Sequence, residues 1–427
     1  MENKIYDLQQ FLDSAHSVYH AVACLTEILK QEGYCPLLET DAWQLQPGGK
    51  YYLTRGGSAV IAFRIPEGAP RGFLISASHA DRPGFKVKEN GELKGTYTRL
   101  AVERYGSVLI ATWLDRPLSV AGRVLVETEN GVESKLIDID RDLLLIPNVA
   151  IHMNRGANDG YKWNLATDTL PLLGTKEAAG KFWALVEEMA GGKLLGHDLF
   201  LYVRQKSSVW GMEEEFISAP ALDDLECAWG CTRGFLESKP TGNIPVLCVF
   251  DSEEVGSGSY QGAAADLLKS TLSRICRALD LEESRQLAGS FLVSADNAHA
   301  IHPNHPELSD SANAPVVNGG VVVKFNAAQR YTTSGVSGAI FRKICAKANV
   351  PVQTYCNRAD LAGGGTLGKV SIAQVSVASV DIGMAQLAMH SCYETGGVKD
   401  AGYLADAMTA YYGANLDCDG NGNWTIG

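Results

Sequence analysis

Several apolar runs of this chain end in the same way, and that ending limits the folds open to it. FLISAS is followed by His79 and Asp81, VLCVF by Asp251, Glu253 and Glu254, and FLVSA by Asp296, while SVASVDIG leads toward His390. Short apolar runs bounded by Gly, Pro and polar residues read as buried strands. Polar residues just past the carboxyl ends of such strands lie where open α/β sheets gather their ligands. The pattern occurs both before and after a stretch, residues 91–209, of different character. There VLIATWL, GRVLVET, SKLIDI, DLLLIP and LFLYVRQ read as short β-type runs, with one helical run near Lys176–Met189. The expected fold is therefore α/β, with residues 1–90 and 210–427 forming one domain and residues 91–209 a β-rich insertion.

Helices supply the crossovers. From Ile5 to Glu32 the residues Leu8, Phe11, Leu12, Val18, Val22, Leu25, Ile28 and Leu29 recur at helical spacing, with a break near Asp13 and Ser14. ALDDLECAWGCTRGFL and AAADLLKSTLSRICRAL read as further helices, and MAQLAMHSCYE as a helix following a strand.

Composition removes several function classes. In 427 residues, 46% hydrophobic and 20% charged, there is enough apolar side chain for a large core, which argues against disorder or coiled coil. A net charge of -12 repels phosphate backbones, so a nucleic-acid partner is not expected. The ten cysteines form no CxxC pair and read as free thiols in a reducing compartment. The first residues lack the apolar core of a signal peptide and no run reaches membrane-spanning length, so the expectation is a cytoplasmic protein with no membrane partner.

Five segments concentrate His, Asp and Glu in apolar or glycine-rich settings: SHAD, APALDDL, VFDSEEVGS, SADNAHAIHPN and MAQLAMHS. Each has an ordinary explanation alone. His79 and His390 could be hydrogen-bonded core histidines, Asp223 a first-turn acid, and Asp296 a helix cap. Glu253 and Glu254 are harder to dismiss, because paired carboxylates beside a buried strand are costly to desolvate unless neutralised. A two-metal centre accounts for all five segments at once, and mixed His and carboxylate ligands suit zinc, cobalt or manganese.

At this level of detail the chain resembles the aspartyl aminopeptidase family, which includes the yeast vacuolar aminopeptidase. The motifs that carry the resemblance are HADRPGFKVK, ALDDL, FDSEEVGSGSYQGA, SADNAHAIHPN, GGVVVKFNAAQRYTT and VDIGMAQLAMHS, with WLDRPLSV and IPNVAIHMNR in the inserted stretch. The resemblance implies a zinc-aminopeptidase-like α/β/α catalytic domain interrupted by a β-rich domain, and two divalent ions per subunit, zinc before cobalt or manganese. It implies His79 and Asp296 on one ion, Glu254 and His390 on the other, and Asp223 bridging. Glu253 would be the base that moves a proton from the attacking water to the leaving amine, and Asp81 would orient His79. His152 would reach a neighbouring subunit's site and stabilise the oxyanion, while Lys324 and Tyr331 would line the substrate pocket. The family cuts N-terminal residues, Asp or Glu by preference, from short peptides. It assembles from dimers into tetrahedral dodecamers.

Some positions depart from the family pattern. Asp224 stands where the family usually has asparagine, and GGGTLG (Gly363–Gly368) stands where many members have a cysteine and a serine. These departures keep open an aminopeptidase for neutral residues such as leucine. A non-catalytic peptide-binding scaffold is the alternative from another class. The tail DCDGNG (Asp417–Gly422) matches half a calcium loop but lacks the closing glutamate, and reads as an exposed, frayed end.

Overall fold

The computed structural model describes residues 2–361 and 363–427 and contains two large sheets. The first has nine strands in the order Cys35–Pro36, Lys50–Arg55, Ala59–Arg64, Ile244–Phe250, Phe73–His79, Phe291–Ala295, Ala378–Gly383, Val321–Phe325 and Val352–Cys356. Its four middle strands, from Ile244–Phe250 to Ala378–Gly383, run parallel. Parallel strands need crossover helices, and those helices cover both faces. That is why Phe73–His79, Ile244–Phe250 and Phe291–Ala295 are mostly apolar and buried along their whole length.

Alternate residues of each strand feed opposite cores. Leu247 and Val249 pack with Trp229, Leu404 and Tyr411, on the side of helices Glu2–Leu12, Val18–Gln31, Leu222–Glu237, Gly335–Lys347 and Val398–Gly413. Val246, Cys248 and Phe250 pack with Leu268, Leu272 and Ile275, on the side of helices Leu267–Ala278 and Leu367–Gln374. The arrangement is α/β/α, as expected. Helices Leu222–Glu237 and Val398–Gly413 cross closely because Gly230 faces Leu404. A Cβ there would lie 2.6 Å from Leu404 Cγ.

The second sheet is antiparallel, in the order Gly131–Asp138, Leu118–Thr128, Leu194–Val203, Gly84–Leu93, Tyr97–Tyr105 and Leu172–Thr175. Helix Lys181–Ala190 closes its own core, with Phe182 and Val186 against Phe85, Val124 and Leu199. The sheet begins at Gly84, directly after the connection that leaves His79.

Four local expectations change. VLIATWL contributes a 3-10 turn, Ile110–Trp113, rather than a strand. MAQLAMHSCYE is not helical: Ala385–Gln386 pairs in parallel with Ala298–His299, and Ala388 and His390 take φ values of 57° and 67°. Strand pairing and left-handed turns there override an apolar spacing that reads as helix. The pairing of Ala298–His299 also removes any helix for Asp296 to cap. The tail is not frayed. Leu416–Cys418 and Trp424–Ile426 form a hairpin, Asp419 accepts the N–H groups of Asn421 and Asn423, and the Trp424 ring meets Phe291 edge-on at 5.6 Å.

Candidate metal centre

Because the middle strands are parallel, their carboxyl ends fall together. His79 ends one strand in register with Phe250, the last residue of its neighbour. Just beyond Phe250, Ser252 adopts φ 65° and turns the chain into the 3-10 turn Glu253–Val255. The backbone N–H groups of Glu253 and Glu254 donate to the two oxygens of Asp81, at 3.0 and 3.1 Å. Asp81 thereby fixes the loop that carries both glutamates. Its carboxylate also accepts the Tyr105 hydroxyl at 2.8 Å, from the second sheet.

The two histidines are aimed by their outer nitrogens. His79 Nδ1 donates to the Asp81 carbonyl at 3.1 Å, and His390 Nδ1 to the Ser107 carbonyl at 2.8 Å. A carbonyl can only accept, so each Nδ1 carries a proton in this bond and each Nε2 is free to bind a cation. Both Nε2 atoms point at carboxylates. His79 Nε2 lies 3.5 Å from Asp223 Oδ1, while His390 Nε2 lies 3.6 Å from Asp223 Oδ2 and 3.5 Å from Glu254 Oε2. A ring nitrogen facing carboxylates at such separations calls for positive charge between them, supplied by a proton on the ring or by a bound cation.

Ligand atoms of His79, Asp223, Asp224 and Asp296 lie within 4.8 Å of one another, as do those of Asp223, Glu254 and His390, and those of His79, Glu253 and Glu254. Asp223, at the start of helix Leu222–Glu237, belongs to the first two groups. The expected ligands His79, Asp223, Glu254, Asp296 and His390 therefore converge, with Glu253 beside them. Buried Asp223 Oδ1 and Asp224 Oδ1 have no hydrogen-bond partner. These orphaned atoms, and a donor set of imidazole and carboxylate without thiolate, fit one or more zinc-type ions.

The electrostatics agree. Burial, joined by Asp296, Asp81 and Asp223, pushes the Glu253 carboxyl up to about 8. Burial and Asp223 likewise raise Glu254 far above the ordinary carboxylate range. Burial alone would lower His79, but Asp223 and Asp81 outweigh it and draw a proton toward the ring. The site demands cations, and a metal can meet that demand in place of protons.

The substrate-side candidates separate. Tyr331 is buried in the wall of a cavity of about 260 Å³ that also includes His299, Tyr355 and the ligand set. Lys324 belongs to the same wall, yet its Nζ already donates to the carbonyls of Asp296 (2.6 Å) and Asn297 (3.2 Å) and sits 3.6 Å from Asp296 Oδ1. It is thus neither a solvated nor an edge-strand lysine, since Val321–Phe325 is flanked on both sides. His152 lies in an exposed turn of the second unit, away from the cavity walls of its own chain.

Sequence reading missed Glu394. This buried carboxylate accepts the His390 N–H at 2.6 Å and the Asp223 N–H at 2.9 Å, tying two ligand backbones together. Four residues from His390 in a segment that reads as helix, it carried no distinguishing signal. Asn297 was missed too. Its amide donates to the Leu222 carbonyl and to Gln386 Oε1, and its oxygen accepts the Met384 N–H, bracing the turn after Asp296.

Comparison with known proteins adds an independent line. The profile of the Aminopeptidase I zinc metalloproteases (M18) matches residues 11–412. A probable M18 family aminopeptidase 2 of Clostridium novyi is 39% identical over 431 residues, spanning 96% of this chain and 100% of the relative. The structure of Ape4 in its complex with Nbr1 superposes with a TM-score of 0.93 at 34% identity, over 96% of this chain and 86% of that one. The S. cerevisiae mApe1 dodecamer gives a TM-score of 0.85 at 25% identity, over 96% and 97%. Sheet order, converging ligands and these likenesses agree, and the chain belongs to the M18 family of zinc aminopeptidases.

Proposed function

We propose that this chain releases single N-terminal residues from short peptides using two divalent ions, zinc by preference. The carrying observation is the position of Asp223, whose two oxygens face two differently anchored histidines. His79 and Asp296 would hold one ion, Glu254 and His390 the other, and Asp223 would bridge them. When bound, the pair supplies Lewis acidity to the scissile carbonyl and to the attacking water. Glu253 accepts the proton of that water and delivers it to the leaving amine. Burial gives Glu253 a higher proton affinity than an exposed carboxylate, which suits a group that takes up and then releases a proton. Asp81 keeps His79 aimed and the glutamate loop in place.

A preference for Asp or Glu as the released residue is the reading we favour, with Lys324 and Tyr331 in the cavity wall as its support. Lys324 retains one N–H beyond its two carbonyl bonds to meet a substrate carboxylate. Those same bonds support a second reading, release of neutral residues such as leucine, because most of the lysine's hydrogen-bonding capacity is already used. We further infer that the second sheet, Gly84–Val203, forms the assembly unit of a homo-oligomer in which dimers build a dodecamer; the S. cerevisiae relative is a dodecamer. His152 lies between the exposed Ile151 and Met153, a surface suited to delivering it to a partner's site. The ten free cysteines are consistent with a cytoplasmic setting. No described helix is long and apolar enough to cross a membrane.

Hydrolysis of aspartyl-, glutamyl- and leucyl-anilides tests the reading, with chelated and metal-restored enzyme side by side. Metal-restorable release favouring the acidic residues supports it, and release favouring leucine moves only the specificity. No turnover by intact, metal-restored assemblies would return the chain to the scaffold reading.

A further inference from the structure

Beyond Glu253 and Glu254 the catalytic cavity continues into an open groove of about 690 Å³, and Gly365 and Thr366 line both spaces. The groove adds Arg330 and Lys369, both exposed. Among the described residues neither cation is within ion-pair distance of a carboxylate, although this chain carries 49 acidic residues. The acids lining the groove are Glu253 and Glu254, the proposed base and a proposed metal ligand. Arg330 is not loose: its Nη1 donates to the Gly363 carbonyl at 2.7 Å, which leaves most of the guanidinium free.

The direction of the groove follows from the chemistry. If Glu253 hands its proton to the leaving amine, the fragment bearing that amine extends outward past Glu253. The released residue lies on the other side, in the enclosed cavity of Tyr331, Tyr355 and His299. A leaving fragment that is itself a short peptide carries a carboxylate within one or two residues of the cut, each residue spanning at most about 3.6 Å. Two unpaired cations beside that path match this anion. Guanidinium and ammonium groups both bind carboxylates, and the guanidinium can do so through two N–H groups at once.

We propose that Arg330 and Lys369 form a carboxylate-binding subsite for the leaving fragment, which directs the enzyme to short peptides ending close to the cut or carrying an acidic residue just after it. The inference rests on the aminopeptidase reading, and its test separates the two. The experiment compares kcat/KM for an anilide, a tripeptide with a free C-terminus, the same tripeptide as its C-terminal amide, and an amide with aspartate in second position. It is run on the wild-type assembly, Arg330→Gln, Lys369→Gln and the double variant. Wild type should favour the free acid over its amide by about tenfold, through KM. Each single variant should reduce that ratio several-fold and the double variant should abolish it, with anilide hydrolysis unchanged throughout, as expected of partly exposed ion pairs. Recovery by second-position aspartate assigns the carboxylate to a side chain; absence of recovery assigns it to the peptide's C-terminus. Equal rates for acid and amide in wild type, or an equal loss on anilide and peptide in the variants, would overturn the subsite while leaving the peptidase reading intact. Failure of wild type on the anilide itself would overturn both.

Discussion

The Glu394 clamp makes a quantitative prediction. Its two oxygens accept one backbone N–H each, from His390 at 2.6 Å and Asp223 at 2.9 Å, with the Gln386 amide at 3.5 Å, and the side chain is buried. Glu394→Gln keeps the shape but replaces one acceptor by an NH₂ donor. In either orientation of the amide, one buried backbone N–H then faces another donor. Leaving a buried donor unsatisfied costs about 1–3 kcal/mol. His390 also sits at φ 67°, a region that costs a residue with a Cβ about 1–2 kcal/mol and is held only by its surroundings. Loosening the clamp lets His390 relax and shifts Asp223 with it. Loss of an orienting partner of this kind lowers metal affinity by about 10–100-fold. The variant should therefore bind the more weakly held metal about 10–100-fold less tightly in a competitive chelator titration, and regain much of its turnover at saturating metal. Glu394→Asp, which keeps both oxygens on a shorter stem, should fall between. A melting temperature lowered with both metal affinities unchanged would refute the argument, since it would make Glu394 an ordinary packing residue.

Other consequences are open to simpler checks. Glu253→Gln should retain both metals by elemental analysis and lose at least about 100-fold in kcat, as expected for a general base; wild-type turnover would remove Glu253 from that role. Glu254→Ala should lose one metal per chain and keep the other. Glu226 is fully buried with Oε1 unpaired, and burial followed by Asp400 pushes its carboxyl from 4.5 up to about 8. A raised folded-state value means the stabilising contribution is complete below about pH 4.5 and is lost as pH rises through about 8. Wild type minus Glu226→Gln should thus lose several kcal/mol of unfolding free energy as pH rises from about 4.5 to about 8, at about 1.4 kcal/mol per unit, and stay level above that. Parallel denaturation curves would contradict this. Gly230→Ala, placing a Cβ against Leu404, should destabilise by about 1–3 kcal/mol in denaturant titrations without changing metal content.

What could be read beforehand was governed by burial. Strands enclosed on both faces, such as FLISASH and VLCVF, announce themselves as apolar runs, and the residues that end them mark the site because charge beside such runs needs a reason. The α/β plan and the strand-end residues His79, Asp296 and Glu253–Glu254 follow from that logic, whereas the α/β/α layering came with the family resemblance and Asp223 with the ALDDL segment. His390 was found by motif but placed on a helix, because LAMH carries helical spacing while its backbone is committed to a short parallel pair and two left-handed turns. Glu394 and Asn297 were invisible for a related reason. Their roles are toward backbone groups of distant segments, and no local pattern reports such a partner. Lys324 lines the pocket as expected, but no local pattern reports that two backbone carbonyls already hold its ammonium group.

The stretch Tyr105–Leu109 changes how the second sheet should be regarded. Tyr105 bonds Asp81, the Ser107 carbonyl fixes the ring of His390, and the Leu109 N–H donates to the His390 carbonyl. The inserted unit is therefore part of the mould in which the ligands are cast, and excising it would deform the centre even if the nine-stranded sheet folded unaided. Mechanical coupling follows in the opposite sense as well. A tilt of the six-stranded sheet would carry Tyr105 and Ser107 with it, and so would act on Asp81 and on the ring of His390. Quaternary structure and catalytic competence would then be selected together, and neither unit could be exchanged for a homologous part without retuning the other.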